Sequence, residues 1–100
     1  MKYGLSDITV SRILKVLSSF SAIDRAILYG SRARRNYRVG SDIDLTLDGE
    51  DLTFKDLCLV DERLDDLMLP YHFDLSVLKH ITNEALLDNI RSEGKIFYQR

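Results

Sequence analysis

One hundred residues, 45% of them hydrophobic and 30% charged, fit a single domain over residues 1–100 that can bury one core without disulfides or structural metals. The net charge of −2 excludes the basic excess that marks general nucleic-acid binding, and the apolar runs fall far short of the roughly 20 residues a membrane-crossing helix needs. With no signal-like stretch in residues 1–5 and a lone cysteine, the chain is expected to be cytoplasmic, with Cys58 as a small buried hydrophobe and no zinc or disulfide framework.

Residues 6–20 carry Val10, Ile13, Leu14, Val16, Leu17 and Phe20 at three- and four-residue spacing, which predicts an amphipathic helix capped by Ser6 with Asp7 in its first turn. Ala26-Ile27-Leu28-Tyr29 follows as a short strand buried on both faces, emptying into a Gly30-Ser31 turn. Residues 32–37 can form one or two helical turns before Gly40 interrupts the chain. Residues 42–47 alternate polar and apolar, a half-buried strand with Asp42 and Asp44 on one face and Asp48-Gly49 as the following turn.

A helix over residues 53–69 is predicted from the stripe Phe54, Leu57, Cys58, Leu64, Leu67 and Met68, with Pro70 as its stop. Residues 72–77 alternate again: Phe73, Leu75 and Val77 face one way, and His72, Asp74 and Ser76 the other. Thr82 is expected to cap a last helix over residues 83–92, with Leu86, Leu87 and Ile90 inward and Gly94 as its C′ residue, before a short edge strand over residues 96–98. This alternation of helices and strands argues for an α/β two-layer domain.

The residues suited to chemistry gather at the turns and polar faces of these strands. Residues i and i+2 of a strand project from one face about 6.6 Å apart, so Asp42 and Asp44 can converge on one cation or a closely spaced pair. Hard oxygen ligands, with no second Cys and no paired His, select Mg²⁺ or Mn²⁺, completed by waters and substrate phosphates. Gly30 lets the backbone approach a phosphate, Ser31 offers a hydroxyl and an N–H at the start of a short helix, and Arg32 is placed to neutralise outer-phosphate charge. Ser41 can donate to a phosphate or cap a turn. Arg34, Arg35 and Arg38 suit a triphosphate, a solvated basic face or an acidic partner. His72 and His80 lack metal-ligand spacing and read as surface or hydrogen-bonding residues. Asp48, about 13 Å along the strand from Asp44, belongs to the turn, and Tyr71, Phe97 and Tyr98 read as packing or interface residues.

Gly30-Ser31, ten intervening residues, Asp42-Ile43-Asp44 and then Asp74 in a second alternating strand together resemble the signature of the polymerase-β nucleotidyltransferase superfamily. The wording Gly30-Ser31-Arg32-Ala33-Arg34 and Gly40-Ser41-Asp42-Ile43-Asp44-Leu45 is similar to its short bacterial members, the minimal nucleotidyltransferase (MNT) domains, whose MntA type is the antitoxin of HEPN/MNT toxin–antitoxin pairs. The resemblance extends over nearly the whole chain. It implies an α+β two-layer fold with a mixed sheet and helices packed on it, and Mg²⁺-dependent transfer of a nucleotidyl group, AMP from ATP or the equivalent from another NTP, to a hydroxyl.

Under the same resemblance Asp42, Asp44 and Asp74 are the catalytic and metal-binding residues, with Asp74 either a ligand or the base for the attacking hydroxyl. Gly30, Ser31, Arg32 and Ser41 bind the nucleotide. Larger relatives carry further domains for the base and the acceptor, so the acceptor surface is expected from another protein. MNT proteins are commonly encoded beside HEPN-domain RNases as their antitoxins, and some adenylylate a tyrosine of the toxin. This implies a HEPN-type toxin partner, no direct nucleic-acid or membrane binding, and a hetero-oligomer, or a homodimer for the chain alone. Two other functions compete: an antitoxin that neutralises its partner by contact alone, and transfer to a small molecule such as an aminoglycoside.

Overall fold

The computed structural model describes residues 1–100. The chain runs α1 (Asp7–Ser18), β1 (Arg25–Tyr29), α2 (Ser31–Arg34), β2 (Ile43–Asp48), α3 (Phe54–Asp65), β3 (Phe73–Val77), a 3₁₀ turn (Leu78–His80), α4 (Glu84–Glu93) and β4 (Lys95–Gln99). The strands form one mixed sheet in the order β3-β2-β1-β4, with β2 and β3 parallel and the other neighbours antiparallel. This is the mixed sheet with packed helices that the resemblance implies. No helix is long and apolar enough to cross a membrane.

Strand parity divides the sheet into a core face and a polar face. Ala26 and Leu28 pair with Leu47 and Leu45, while Ile43, Leu45 and Leu47 pair with Phe73, Leu75 and Val77. These residues join Ile13 and Leu17 of α1 and Val60 and Leu64 of α3 in one core. The opposite face carries Tyr29 across from Asp44, Ile27 across from Thr46, and Asp74 and Ser76 beside Asp44 and Thr46. A strand face of this polarity is ordinarily solvated, yet Thr46 is fully buried and its hydroxyl accepts a hydrogen bond from Ser76 Oγ at 2.9 Å. The polar face is therefore partly covered, not simply half exposed.

Local chemistry sets the helix limits. Ser6 Oγ accepts from Thr9 N to start α1, and Thr53 with Asp56 forms a reciprocal capping box at α3. Helix α3 ends well before Pro70: its last turn closes by a Met68 N–H donated to the Asp65 carbonyl, with Met68 in the left-handed region. Its inward stripe is Leu57, Val60 and Leu64, so Cys58 and Phe54, predicted to be on the stripe, are exposed instead. Position 58 lies roughly 100–160° around the helix from 57, 60 and 64, and Phe54, the first residue of the helix, falls at the edge of that stripe. Cys58 is thus not the buried hydrophobe expected.

Two further expectations change at α4. The cap is Asn83, whose side chain accepts from Leu86 N at 3.0 Å, and not Thr82. Gly94 follows the helix in an extended conformation (φ −64°, ψ 146°), so it is not a left-handed C′ residue. Its lack of a side chain serves packing: a Cβ there would stand 2.7 Å from Ile27 Cγ2 and collide with the Ile90 carbonyl.

Ile43 is fully buried and Phe54 is 67% exposed. Ile43→Ala should destabilise the protein by about 2–5 kcal/mol through the lost transfer energy and the cavity left behind, and Phe54→Ala should change stability by less than about 0.5 kcal/mol. Urea unfolding of both variants measures the difference, and a large loss for Phe54→Ala would reverse the face assigned to α3.

Candidate active site

Three carboxylates come together where β2 and β3 begin. Asp44 and Asp74 are Cα partners in the parallel ladder, so they stand at one level on neighbouring strands and face the same way. Asp42 lies two residues before Asp44, and its neighbour Ile43 is tied to β3 by an N–H donated to the His72 carbonyl at 2.9 Å. Asp44 is half-buried while Asp42 and Asp74 are exposed. His72 Nδ1 lies 3.6 Å from Asp42 Oδ1, which places this histidine at the edge of the cluster.

The electrostatics follow from that crowding. The Asp44 carboxyl is raised above its ordinary value, first by burial, then by the charges of Asp74 and Asp42 and by a hydrogen bond with Asp74, while Arg34 opposes the rise. Tyr29, the cross-strand partner of Asp44, is also raised, chiefly by burial, with Ser76 acting against the shift and Asp74 and Asp44 adding to it. A cation among the carboxylates would relieve their repulsion. No three His, Cys, Asp or Glu side chains stand close enough together to hold a metal ion by themselves; the all-oxygen chemistry of Asp42, Asp44 and Asp74 fits Mg²⁺, which keeps several waters and takes further ligands from phosphate.

The turn after β1 presses against this cluster. Gly30 has φ +76°, a region other residues rarely adopt, and a Cβ on it would collide with the Asp44 carboxylate. Ser31 follows as the first residue of α2, a single turn that ends when Arg35 adopts a left-handed conformation; Gly40 does not end it. Gly30, Ser31, Asp42, Asp44 and Asp74 are therefore neighbours in space as well as in motif.

Arg32 does not join them as expected. It is 1% exposed, and its guanidinium is consumed by backbone carbonyls: Nη1 donates to Tyr3 O at 2.9 Å, and Nε and Nη2 donate to Ser41 O at 3.2 and 2.9 Å. A group so enclosed is shut off from a phosphate on the open face. Ser41 is likewise committed to its own turn, where its Oγ accepts from Arg38 N at 2.7 Å. The arginine whose charge reaches Asp44 is Arg34, paired with Glu93 at 3.6 Å and still 42% exposed. The signal was available: residues three apart in a helical turn share a face, which aligns Arg34 with Ser31 and turns Arg32 away. Asp48, expected in the turn, is instead the last residue of β2, where it pairs with Arg25 of β1 at 2.8 Å.

The carboxylates occupy an open ledge rather than a deep pocket. The largest cavity, about 560 Å³, lies elsewhere on the polar side, where Ile27, Ile81, Leu87 and Ile90 line it. Its size does not make it the chemical centre, since it contains no carboxylate and no part of the Gly30-Ser31 turn.

Folding raises the Asp44 carboxyl, so the folded state holds that proton more tightly than the unfolded chain. Stability must then decline as pH rises from the ordinary value of 3.8 through the raised folded value. Asp44→Asn removes the cost. Without metal, the variant should melt above the wild type at about pH 7, and the gain should vanish below the ordinary carboxylate range. Thermal melts across this range test it; a variant less stable than the wild type at neutral pH contradicts the assignment.

The sequence and the fold can be placed among known proteins. Residues 11–100 match the family described as "Polymerase beta, Nucleotidyltransferase". Comparison with curated proteins returns no match. Among solved structures, a toxin–antitoxin crystal structure with AMP-PNP superposes with a TM-score of 0.74 at 20% identity, covering 91% of this chain and 73% of that one. A chain from the tri-AMPylated Shewanella oneidensis HEPN toxin in complex with MNT antitoxin gives 0.70 at 18% identity, covering 96% and 74%. The MntA–HepT toxin–antitoxin gives 0.68 at 18% identity, covering 95% and 74%. At such identities the likeness establishes a shared fold, while the family match spans nearly the whole sequence. This chain belongs to the polymerase beta nucleotidyltransferase family.

Proposed function

We propose that this protein is a cytoplasmic, Mg²⁺-dependent adenylyltransferase that moves AMP from ATP to a hydroxyl of a partner protein, with a HEPN-type RNase toxin as that partner. The observation that carries the reading is the Asp44–Asp74 pairing on adjacent parallel strands, with Asp42 two residues away and Gly30 against Asp44. The AMP-PNP and AMPylated HEPN toxin complexes that share the fold support the choice of nucleotide and partner.

Asp42, Asp44 and Asp74 would hold the cation, which on binding neutralises phosphate charge and orients the triphosphate. The Gly30-Ser31 turn lets the backbone and a hydroxyl approach the outer phosphates, and Arg34 supplies the positive charge beside them. The acceptor oxygen attacks the α-phosphorus, the bond from that phosphorus to the β-bridging oxygen breaks, and pyrophosphate leaves. Asp74, exposed beside Asp44, can take the acceptor's proton. Positioning and charge neutralisation carry most of the rate. An open ledge cannot exclude water by itself, which favours an acceptor whose own surface closes over the site.

The test supplies ATP and Mg²⁺ together with a HEPN-domain RNase toxin, the product of the neighbouring reading frame where that encodes one, and follows AMP on that protein by intact mass. Asp44→Asn should lower transfer by at least about 100-fold, or roughly 3 kcal/mol of transition-state stabilisation, and chelator should abolish it. Near-normal transfer by the variant would remove the polar face of β2 from the chemistry. If Asp42→Asn/Asp44→Asn still neutralised the toxin with transfer lost, contact alone would be the protective activity.

A further inference from the structure

We propose that Arg32 is a positioning residue: it holds Asp42 in place through the backbone of residues 39–41 and ties that segment to the N-terminal turn. The inference rests on the nucleotidyltransfer reading and extends it to a group that touches neither phosphate nor metal.

Asp42 sits at the end of an exposed connection. Val39 is 92% exposed, no atom outside its neighbours approaches the Cβ position of Gly40 within 4 Å, and the segment's own turn is closed only by Ser41 N donating to Arg38 O and Arg38 N donating to Ser41 Oγ. Left to those two bonds, such a segment opens readily. Arg32 supplies the missing anchor. Two of its nitrogens converge on the carbonyl of Ser41, the residue before Asp42, and Nη2 reaches Val39 O at 3.4 Å.

The same guanidinium organises the other flank of Asp42. Its carbon lies 5.0 Å from the centre of the Tyr71 ring and 5.3 Å from that of Tyr37. Tyr71 precedes His72, whose carbonyl accepts from Ile43 N and whose ring stands beside Asp42. Nη1 donates to Tyr3 O within a turn that Lys2 and Leu5 close through two backbone hydrogen bonds of 2.9 Å. One planar cation thus joins the N-terminal turn, the segment before Asp42 and the residue before His72.

Burying a charge is costly unless it is fully hydrogen-bonded, and no buried side-chain polar atom in the chain lacks a partner. The fork geometry is the requirement. A lysine would keep the charge but present a compact ammonium that cannot span Tyr3, Val39 and Ser41 together. Charge and geometry therefore make opposite predictions for the same substitution: a phosphate ligand tolerates lysine, and a positioning fork does not.

The experiment measures ATP affinity by calorimetry, with Mg²⁺ and with chelator, for the wild type, Arg32→Lys and Arg32→Met, alongside amide hydrogen exchange. Wild-type protein should bind ATP more tightly with Mg²⁺; the absence of that gain defeats the metal-site reading itself, whatever Arg32 does. Given the gain, both variants should bind MgATP at least about tenfold more weakly while affinity in chelator is unchanged, as expected for loss of a group supporting a metal ligand. Exchange should accelerate at residues 39–42 and stay as in the wild type across β1 and β2. Full rescue of MgATP binding by lysine overturns the proposal, as does a tenfold loss without faster exchange at residues 39–42. Should neither variant fold, Tyr71→Leu removes a ring and leaves the fork's hydrogen bonds, with about a threefold loss of MgATP affinity expected. Wild-type behaviour in both readouts there overturns the proposal equally.

Discussion

Two like charges at one level of a parallel ladder form a constraint that the rest of the structure must satisfy. Asp44 opposite Asp74 is an unfavourable cross-strand pair, worth about 0.2–1 kcal/mol against the sheet by ordinary standards. The sheet cannot escape it by sliding. A shift of one residue would turn Ile43, Leu45 and Leu47 out of the core, where each fully buried side chain contributes about 1.5–3 kcal/mol. Core burial therefore outweighs the repulsion several times over, and the carboxylates stay together because their apolar neighbours are fixed. The Asp44 carboxyl is raised accordingly, first by its burial and then by the charges of Asp74 and Asp42.

The same logic extends to the single turn of α2. Its position after Gly30 is set by the close approach to Asp44, and a turn so short leaves each of its side chains a distinct surrounding. Arg34 is exposed toward solvent, Glu93 and the field of Asp44, whereas Arg32 is enclosed among carbonyls and tyrosine rings. Two arginines in one motif thus differ in kind: one is exposed beside the carboxylates, and the other is enclosed and bonded to the chain.

Much of this was legible in the sequence, and the parts that were not have physical reasons. Alternation placed Asp42, Asp44 and Asp74 on polar strand faces because period-two patterning is imposed by the core on their neighbours. Nothing local encodes that β2 and β3 are adjacent, parallel and in register, since that depends on how α3 crosses between them. The face of α3 was misjudged because Phe54 and Cys58 are hydrophobic enough to mimic a stripe, while Val60 carries the burial. Arg32 was read as a ligand from its place beside Gly30-Ser31. Its contacts are with the carbonyls of Tyr3, Val39 and Ser41, and a backbone oxygen leaves no mark in a sequence.

The placement of burial also separates folding from chemistry. Ile43 and Leu45, which alternate with Asp44, are fully buried, whereas Asp42 and Asp74 are exposed on the ledge. Alternating residues of one strand thus answer to different demands, those of the core and those of whatever binds above it. The core residues gain their energy from being enclosed; the carboxylates remain poorly compensated until something positive arrives. Such a surface is stable enough to keep its geometry, and the free energy that carboxylate repulsion withholds would be returned if a counter-charge bound there. A deep apolar pocket would gain less from this arrangement, since its contribution to binding comes from excluding water. Under the proposed transfer reaction, the shallow ledge would draw its selectivity from charge and backbone approach and leave shape to the acceptor.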